Sequence, residues 1–233
     1  MAGAGKDASP RPDRGPDDSS RLRAMRSPAA IAVFAAVAGV SLAADLWSKH
    51  AVFGVLLGGS GVRQRSEAVL RDYGPNVPPD DVLRALRLQR PVFTGLRLTL
   101  STNPGVVFGL PMPPWAVAVA TVLTIGLVCY FFAMSGSSGR WLHVALAMVL
   151  SGAVGNFYDR MIAHVVVPGV ARPITGQVRD FLDFSEVRVL GLNYPYIFNV
   201  ADVFLVVGVG MLMVYWWFLA RCDHKSRLKK QVR

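Results

Sequence analysis

The sequence predicts an all-α membrane protein: a four-transmembrane-helix bundle with a small extracytoplasmic β-lobe and a short amphipathic helix. Three observations point there. Of 233 residues, 52% are hydrophobic and only 17% charged, where soluble domains carry roughly 25% charged residues. Four separate stretches are apolar and long enough to cross a bilayer, which takes about 20 helical residues. The formal net charge of +10 sits largely outside those stretches. A disordered chain, a disulfide scaffold and an ordinary nucleic-acid-binding domain are thereby excluded, and no nucleic-acid partner is expected. A soluble core would instead need four helices that are apolar all round within one small domain.

The elements follow in order. Residues 1–28, rich in Pro, Gly and Asp, read as a disordered cytoplasmic tail. The membrane domain covers 29–220, with its spans at 29–47, 113–134, 141–157 and 197–220, and a basic tail fills 221–233. Ser41-Leu42-Ala43 resembles a cleavage site, but a long acid-bearing segment precedes the first apolar run, which continues through Trp47. It reads as a retained anchor. Trp115, Trp141, Tyr158, Trp216 and Trp217 stand near span ends, where amphipathic aromatics sit at membrane interfaces.

Between the spans, the first outer lobe covers about 58–112. Within it Val82–Leu88, following Pro78-Pro79-Asp80-Asp81, reads as the amphipathic helix. Leu96–Leu100 alternates as a half-buried strand does, Asn103-Pro104-Gly105 supplies a turn, and Val106–Leu110 is a second strand.

Orientation follows from the basic residues. The two tails hold six Lys/Arg each in 28 and 14 residues, while the loops 58–112 and 158–196 hold seven and four. The denser set faces the cytoplasm, which places both termini and the turn Ser135–Arg140 inside. Cys129 and Cys222 are expected as unpaired thiols, and His50, His143, His164 and His224 lack metal-ligand spacing, so neither metal nor cofactor is expected.

Acids inside a membrane helix cost about 2.5–3.5 kcal/mol at its centre and need a reason. Here they converge at one depth. Asp45 and Lys49 end the first span, Gly155-Asn156-Phe157-Tyr158-Asp159-Arg160 ends the third, and Phe198-Asn199-Val200-Ala201-Asp202 begins the fourth. Gly152, Asn156, Asp159 and Arg160 share one helical face, as do Asn199 and Asp202. Gly152 and Gly155 allow a close helix approach. Asp45–Lys49 and Asp159–Arg160 ion pairs would brace the bundle. Asp202 has no basic residue within a helical turn, and Asp180 and Asp183 lie in the preceding loop.

Two carboxylates about 4 Å apart repel by about 4 kcal/mol at an effective dielectric of 20, so such a pair keeps one proton near neutrality. One member then activates water while its protonated partner polarises a carbonyl. A proton-conducting transporter would instead spread polar residues through the membrane depth. A non-catalytic scaffold is separated only by activity.

Five segments carry a resemblance. Asp45-Leu-Trp-Ser-Lys49, Asn103-Pro-Gly-Val-Val-Phe108, Gly152-Ala-Val-Gly-Asn-Phe-Tyr-Asp-Arg160, Val178-Arg-Asp-Phe181 and Phe198-Asn-Val-Ala-Asp202 resemble the lipoprotein signal peptidases (signal peptidase II), in order, from Asp45 to about Met213. The resemblance implies an aspartyl endopeptidase of the bacterial inner membrane. Such enzymes cut prolipoproteins on the N-terminal side of a diacylglyceryl-modified cysteine. By motif position the dyad is Asp180 and Asp202, ahead of Asp159 and Asp183 as partners of Asp202. Asn103, Gly105, Asn156, Asp159, Arg160 and Asn199 would bind substrate or support the dyad, and Asp45 and Lys49 would brace it. The outer lobe corresponds to the family's β-cradle, and globomycin-type inhibitors and membrane lipids are expected ligands. Two loops, near 58–91 and 161–177, are longer than in typical members. Arg179 replaces an apolar residue beside Asp180, where it would lower that carboxyl's pKa or contact lipid headgroups.

Overall fold

The computed structural model describes residues 23–107, 110–189, 192–193 and 196–231; residues 1–22 of the tail expected over 1–28 lie outside them. Its main helices are α1 (Pro28–Leu57), α2 (Val62–Tyr73), α3 (Pro79–Leu86), α4 (Pro114–Met134), α5 (Arg140–Met161) and α6 (Val200–Gln231). α1, α4, α5 and α6 are long and apolar enough to cross a membrane. The candidate span of α5 is 50% buried, against 6–17% for the other three. It packs against α1, α4 and α6, so protein rather than lipid covers half of it. That position tolerates the polar residues that made it the least apolar span. Exposed Val, Leu and aromatic residues line α4 and α6, as lipid-facing surfaces require.

Two glycines set the α5–α6 distance. A Cβ on Gly152 would stand 2.6 Å from Leu205 Cγ, and one on Gly208 would stand 2.8 Å from Val149 Cγ2. Gly152→Val is therefore expected to force the helices apart and cost about 1–3 kcal/mol, measurable as a lower thermal midpoint in detergent.

α1 does not stop at Trp47. Its 30 residues span about 45 Å at 1.5 Å per residue, well beyond a hydrocarbon core of about 30 Å. Its last turns leave the bundle and place Phe53 in a second core with Val82, Leu83, Leu86, Val167 and Phe181. α3 is the expected amphipathic helix, displaced a few residues toward its N-terminus and started by Pro79 at a position where a missing N–H costs nothing. α2 was not legible, because its apolar positions are few. It is held by tertiary contacts, among them the buried Ser66 hydroxyl donating to the Pro168 carbonyl.

The strands are β1 (Gln89–Phe93), β2 (Leu96–Asn103), β3 (Val106–Val107), β4 (Leu110–Pro111), β5 (His164–Val165), β6 (Ile174–Thr175), β7 (Val178–Asp183), β8 (Arg188–Val189), β9 (Leu192–Asn193) and β10 (Ile197–Phe198). The protein is mostly helical with a small sheet region, so "all-α" understates it. An antiparallel sheet orders its strands β1-β2-β7-β10, with β3–β4, β5–β6 and β8–β9 as short pairs. The strand expected over 106–110 is instead split between β3 and β4, and 108–109 lie outside the described residues. Asn103 ends β2, and its side chain closes the expected turn onto the Gly105 N–H. β7 showed no alternation because both its faces are covered: Val178, Asp180, Phe181 and Asp183 are all buried.

At the far end of the bundle, the Arg23 backbone pairs with Gly136, and the Ala24 N–H donates to the Ser135 carbonyl. The chain just before α1 is thereby fastened to the α4–α5 turn. Cys129 is an exposed free thiol on α4.

Candidate active site

The polar residues of α1, α5 and α6 converge at the sheet-bearing end of the bundle, in two linked layers. The deeper is a line of alternating charge. Lys49 Nζ lies 2.8 Å from Asp45 Oδ2 and 3.1 Å from Asp159 Oδ2, with all three side chains fully buried. Asp45 Oδ1 also accepts the Ala201 N–H at 2.9 Å, tying α1 to the start of α6. Gly155 faces this pair directly, and a Cβ there would collide with the Asp45 carboxylate.

Asp159 does not take Arg160 as its cation. Arg179 binds it instead, donating from Nε at 3.0 Å and Nη2 at 2.6 Å to Oδ1, while its backbone N–H donates to Oδ2 at 3.1 Å. Adjacent strand residues point to opposite faces, so Arg179 and Asp180 diverge. Arg179 neutralises Asp159, and Asp180 is left to its own surroundings.

The second layer joins Asp180 and Asp202 through two amides. Lys49 Nζ donates to Asn156 Oδ1 at 3.0 Å. An ammonium can only donate, so this contact fixes the amide's orientation and turns Asn156 Nδ2 toward Asp202 Oδ1, 2.8 Å away. Asn199 Nδ2 donates to Asp180 Oδ1 at 2.6 Å and to Asn156 Oδ1 at 3.2 Å. Asn199 also caps α6. Its N–H donates to Asp202 Oδ2 at 3.1 Å and its Oδ1 accepts the Asp202 N–H at 3.2 Å. This reciprocal pair is a capping box with Asp in the third helical position. The Asn-x-x-Asp spacing, read above as a shared helical face, is a helix start that locks the Asp202 side chain.

Asp180 is buried, and burial together with the nearby Asp202 charge pushes its carboxyl up to about 7. Arg179 therefore does not lower it, contrary to one sequence expectation. Asp183 behaves oppositely. It accepts from Thr99 Oγ1 at 2.8 Å and from the Ser185 N–H at 2.9 Å, and it pairs with Arg97 at 3.4 Å. Burial would raise Asp183, but hydrogen bonds from Ser185 and Thr99, with the Arg97 charge, outweigh it and hold the carboxyl below the usual carboxylate range.

At the rim, Arg160 Nη1 donates to the Asn103 carbonyl at 3.4 Å, and Asn103 Oδ1 accepts the Gly105 N–H at 2.9 Å. Gly105 has φ +124°, and a Cβ there would stand 3.3 Å from the Met112 carbonyl oxygen. Only glycine fits that turn. Arg160 also lies within Coulombic reach of Asp180 and Asp202.

Every site residue expected from the sequence thus belongs to one contiguous assembly. The contacts that sequence reading missed are the Arg179 clamp on Asp159 and the Thr99–Arg97 hold on Asp183, both of which depend on strand pairing. No group of three or more His, Cys, Asp or Glu suited to a metal occurs among the described residues.

The chain is similar to curated relatives named lipoprotein signal peptidase. One from Streptococcus pyogenes serotype M3 (strain ATCC BAA-595 / MGAS315) is 35% identical over 135 residues, covering 57% of this chain and 77% of the relative. Another, from Streptococcus pyogenes serotype M2 (strain MGAS10270), is 34% identical over the same length. A solved structure described as a bacterial membrane enzyme shares the fold at a TM-score of 0.53 and 21% identity, covering 80% of this chain and 88% of that one. The family model for signal peptidase (SPase) II matches residues 37–218. With most of its length matched, the chain belongs to the signal peptidase II family of membrane peptidases.

Proposed function

We propose that this membrane peptidase, whose family removes signal peptides from prolipoproteins, does so with Asp180 and Asp202 as an aspartyl dyad. The cut falls on the N-terminal side of a diacylglyceryl-modified cysteine. One observation carries the reading: Asp180 and Asp202, from β7 and α6, are joined through Asn156 and Asn199, and Asp180 holds its proton to about pH 7. The competing acids are committed elsewhere, Asp159 to Lys49 and Arg179, Asp183 to Arg97 and Thr99.

The chemistry follows from the difference between the two carboxyls. Asp202 receives N–H donors from Asn156 and Asn199 and is placed to take a proton from water. The hydroxide so formed attacks the scissile carbonyl carbon while protonated Asp180 donates to its oxygen. Proton transfer from Asp202 to the departing amine nitrogen then accompanies C–N cleavage, and the acid form of Asp180 is restored as the carbonyl re-forms. Arg160, Asn103 and Gly105 line the approach and bind substrate backbone. The sheet-bearing end faces outward, as the β-cradle over the site, and both termini lie in the cytoplasm of a cell whose inner membrane holds the enzyme.

The test is cleavage of a diacylglyceryl-modified precursor peptide by the purified full chain. The expected product begins at the lipidated cysteine, the unmodified peptide resists, and globomycin blocks the reaction. Equal cleavage of the unmodified peptide would overturn the substrate assignment. Accessibility labelling of single cysteines at 94 and 137 should find position 94 outside and 137 inside; the reverse would invert the topology.

A further inference from the structure

The mechanism leaves unused a cavity of about 240 Å³ whose walls include His50, Phe53 and Leu57 of α1, His164 of β5, Val166 just after it, and Arg179 of β7. Asp180 is not part of it, since β7 presents Arg179 there and Asp180 to the other side. The floor is apolar, and three of the walls are basic side chains. No Asp or Glu lines it. His50 and His164 are exposed. Arg179 spends Nε and Nη2 on Asp159, and Nη1 has no hydrogen-bond partner among the described residues.

Its depth narrows the ligand class. The walls are the last turns of α1 and residues just past Met161, where α5 ends, so the cavity opens where two spanning helices leave the bilayer. Met161, Ile162 and Val166 are exposed beside it, an apolar border of the kind a lipid chain covers. The volume is below the roughly 300–1,000 Å³ of pockets that enclose drug-sized ligands. It suits a headgroup, with the acyl chains outside. The remaining Arg179 Nη1 can donate to a phosphate oxygen, and with no acid in the walls an ammonium-bearing headgroup finds no counter-charge.

We propose that this cavity binds the phosphate headgroup of an anionic phospholipid, with the acyl chains lying along Met161 and Ile162. The site is separate from the proposed dyad, and its readout is lipid association rather than cleavage.

The full chain is reconstituted in phosphatidylcholine bilayers, and its relative affinities for spin-labelled phosphatidylglycerol and spin-labelled phosphatidylcholine are measured. Wild type should prefer phosphatidylglycerol. His50→Ala/His164→Ala, at two exposed positions that should not disturb folding, should lower that preference at least about fivefold, the effect of losing ring N–H donors to a charged phosphate. Arg179→Lys, which keeps the charge but loses the Nη1 donor, should lower it less. The exposed Arg84→Gln on α3 should leave it unchanged. An unaltered preference in the double-histidine variant overturns the proposal, as does an equal loss in Arg84→Gln, which would mean diffuse surface attraction. Displacement of the labelled lipid by millimolar inorganic phosphate would also overturn it, making the ligand a free anion.

Discussion

Asp180→Asn is expected to lower kcat for a lipidated precursor by roughly 10²–10⁴-fold, the usual worth of a positioned acid or base, without unfolding the protein. The amide can still accept the Asn199 Nδ2–H with its oxygen, so the hydrogen bond at 2.6 Å survives. Asp202→Asn should be at least as damaging to turnover, but it is a less clean test. Both Asp202 oxygens accept N–H groups, from Asn156 and from the Asn199 backbone. An amide there turns one acceptor into a donor facing a donor, at about 1–3 kcal/mol. Melting curves must therefore accompany the assay for Asp202→Asn. Full cleavage by a folded Asp180→Asn enzyme would remove Asp180 from the dyad. Loss in Asp159→Asn while Asp180→Asn stays active would move the role to Asp159. In the unaltered enzyme, activity should fall on the alkaline side with an apparent pKa near 7, as the shared proton leaves.

The same substitution should make the protein more stable in alkali. The Asp180 carboxyl titrates at about 7 when folded, against 3.8 for a free aspartate. Between those values the unfolded chain loses a proton that the folded protein keeps, so stability declines as pH rises. Below pH about 3.8 the contribution is intact, and above about 7 it is fully lost, at about 4 kcal/mol in all. Asp180→Asn removes that slope. Its thermal midpoint in detergent should exceed that of the parent above pH 7, with the gap closing toward pH 4. A constant gap across that range would mean that Asp180 is not the group titrating. An inactive yet more stable variant is the expected mark of a carboxylate kept in an unfavourable setting for its chemistry.

Four spans were legible because spanning helices satisfy their hydrogen bonds locally and face lipid with apolar side chains, so each announces itself within one window. Ends were less legible. α1 runs ten residues past Trp47, because Phe53, Leu56 and Leu57 of its last turns pack on the lobe. Asn199 and Asp202 were visible as a pair, since a cap is a local device. β7 was not visible as a strand, and Arg179 read as an oddity beside Asp180.

What the sequence determined by itself is the membrane class, the meeting of acids and amides at one end of the bundle, and the small residues Gly152 and Gly155 that admit neighbours. What only the tertiary structure decided is the state of each acid. Ser101 pairs with Asp180 and Arg97 with Asp183 in β2–β7, with a register shift between Leu98 and Ser101. Such a bulge re-aims side chains, and it joins strands about 80 residues apart in the chain. That pairing gives Arg97 and Thr99 to Asp183, sends Arg179 to Asp159, and leaves Asp180 buried near Asp202 with an amide, Asn199, as its hydrogen-bond donor. Charge is written in the sequence, but desolvation and counter-charge depend on which distant segments meet.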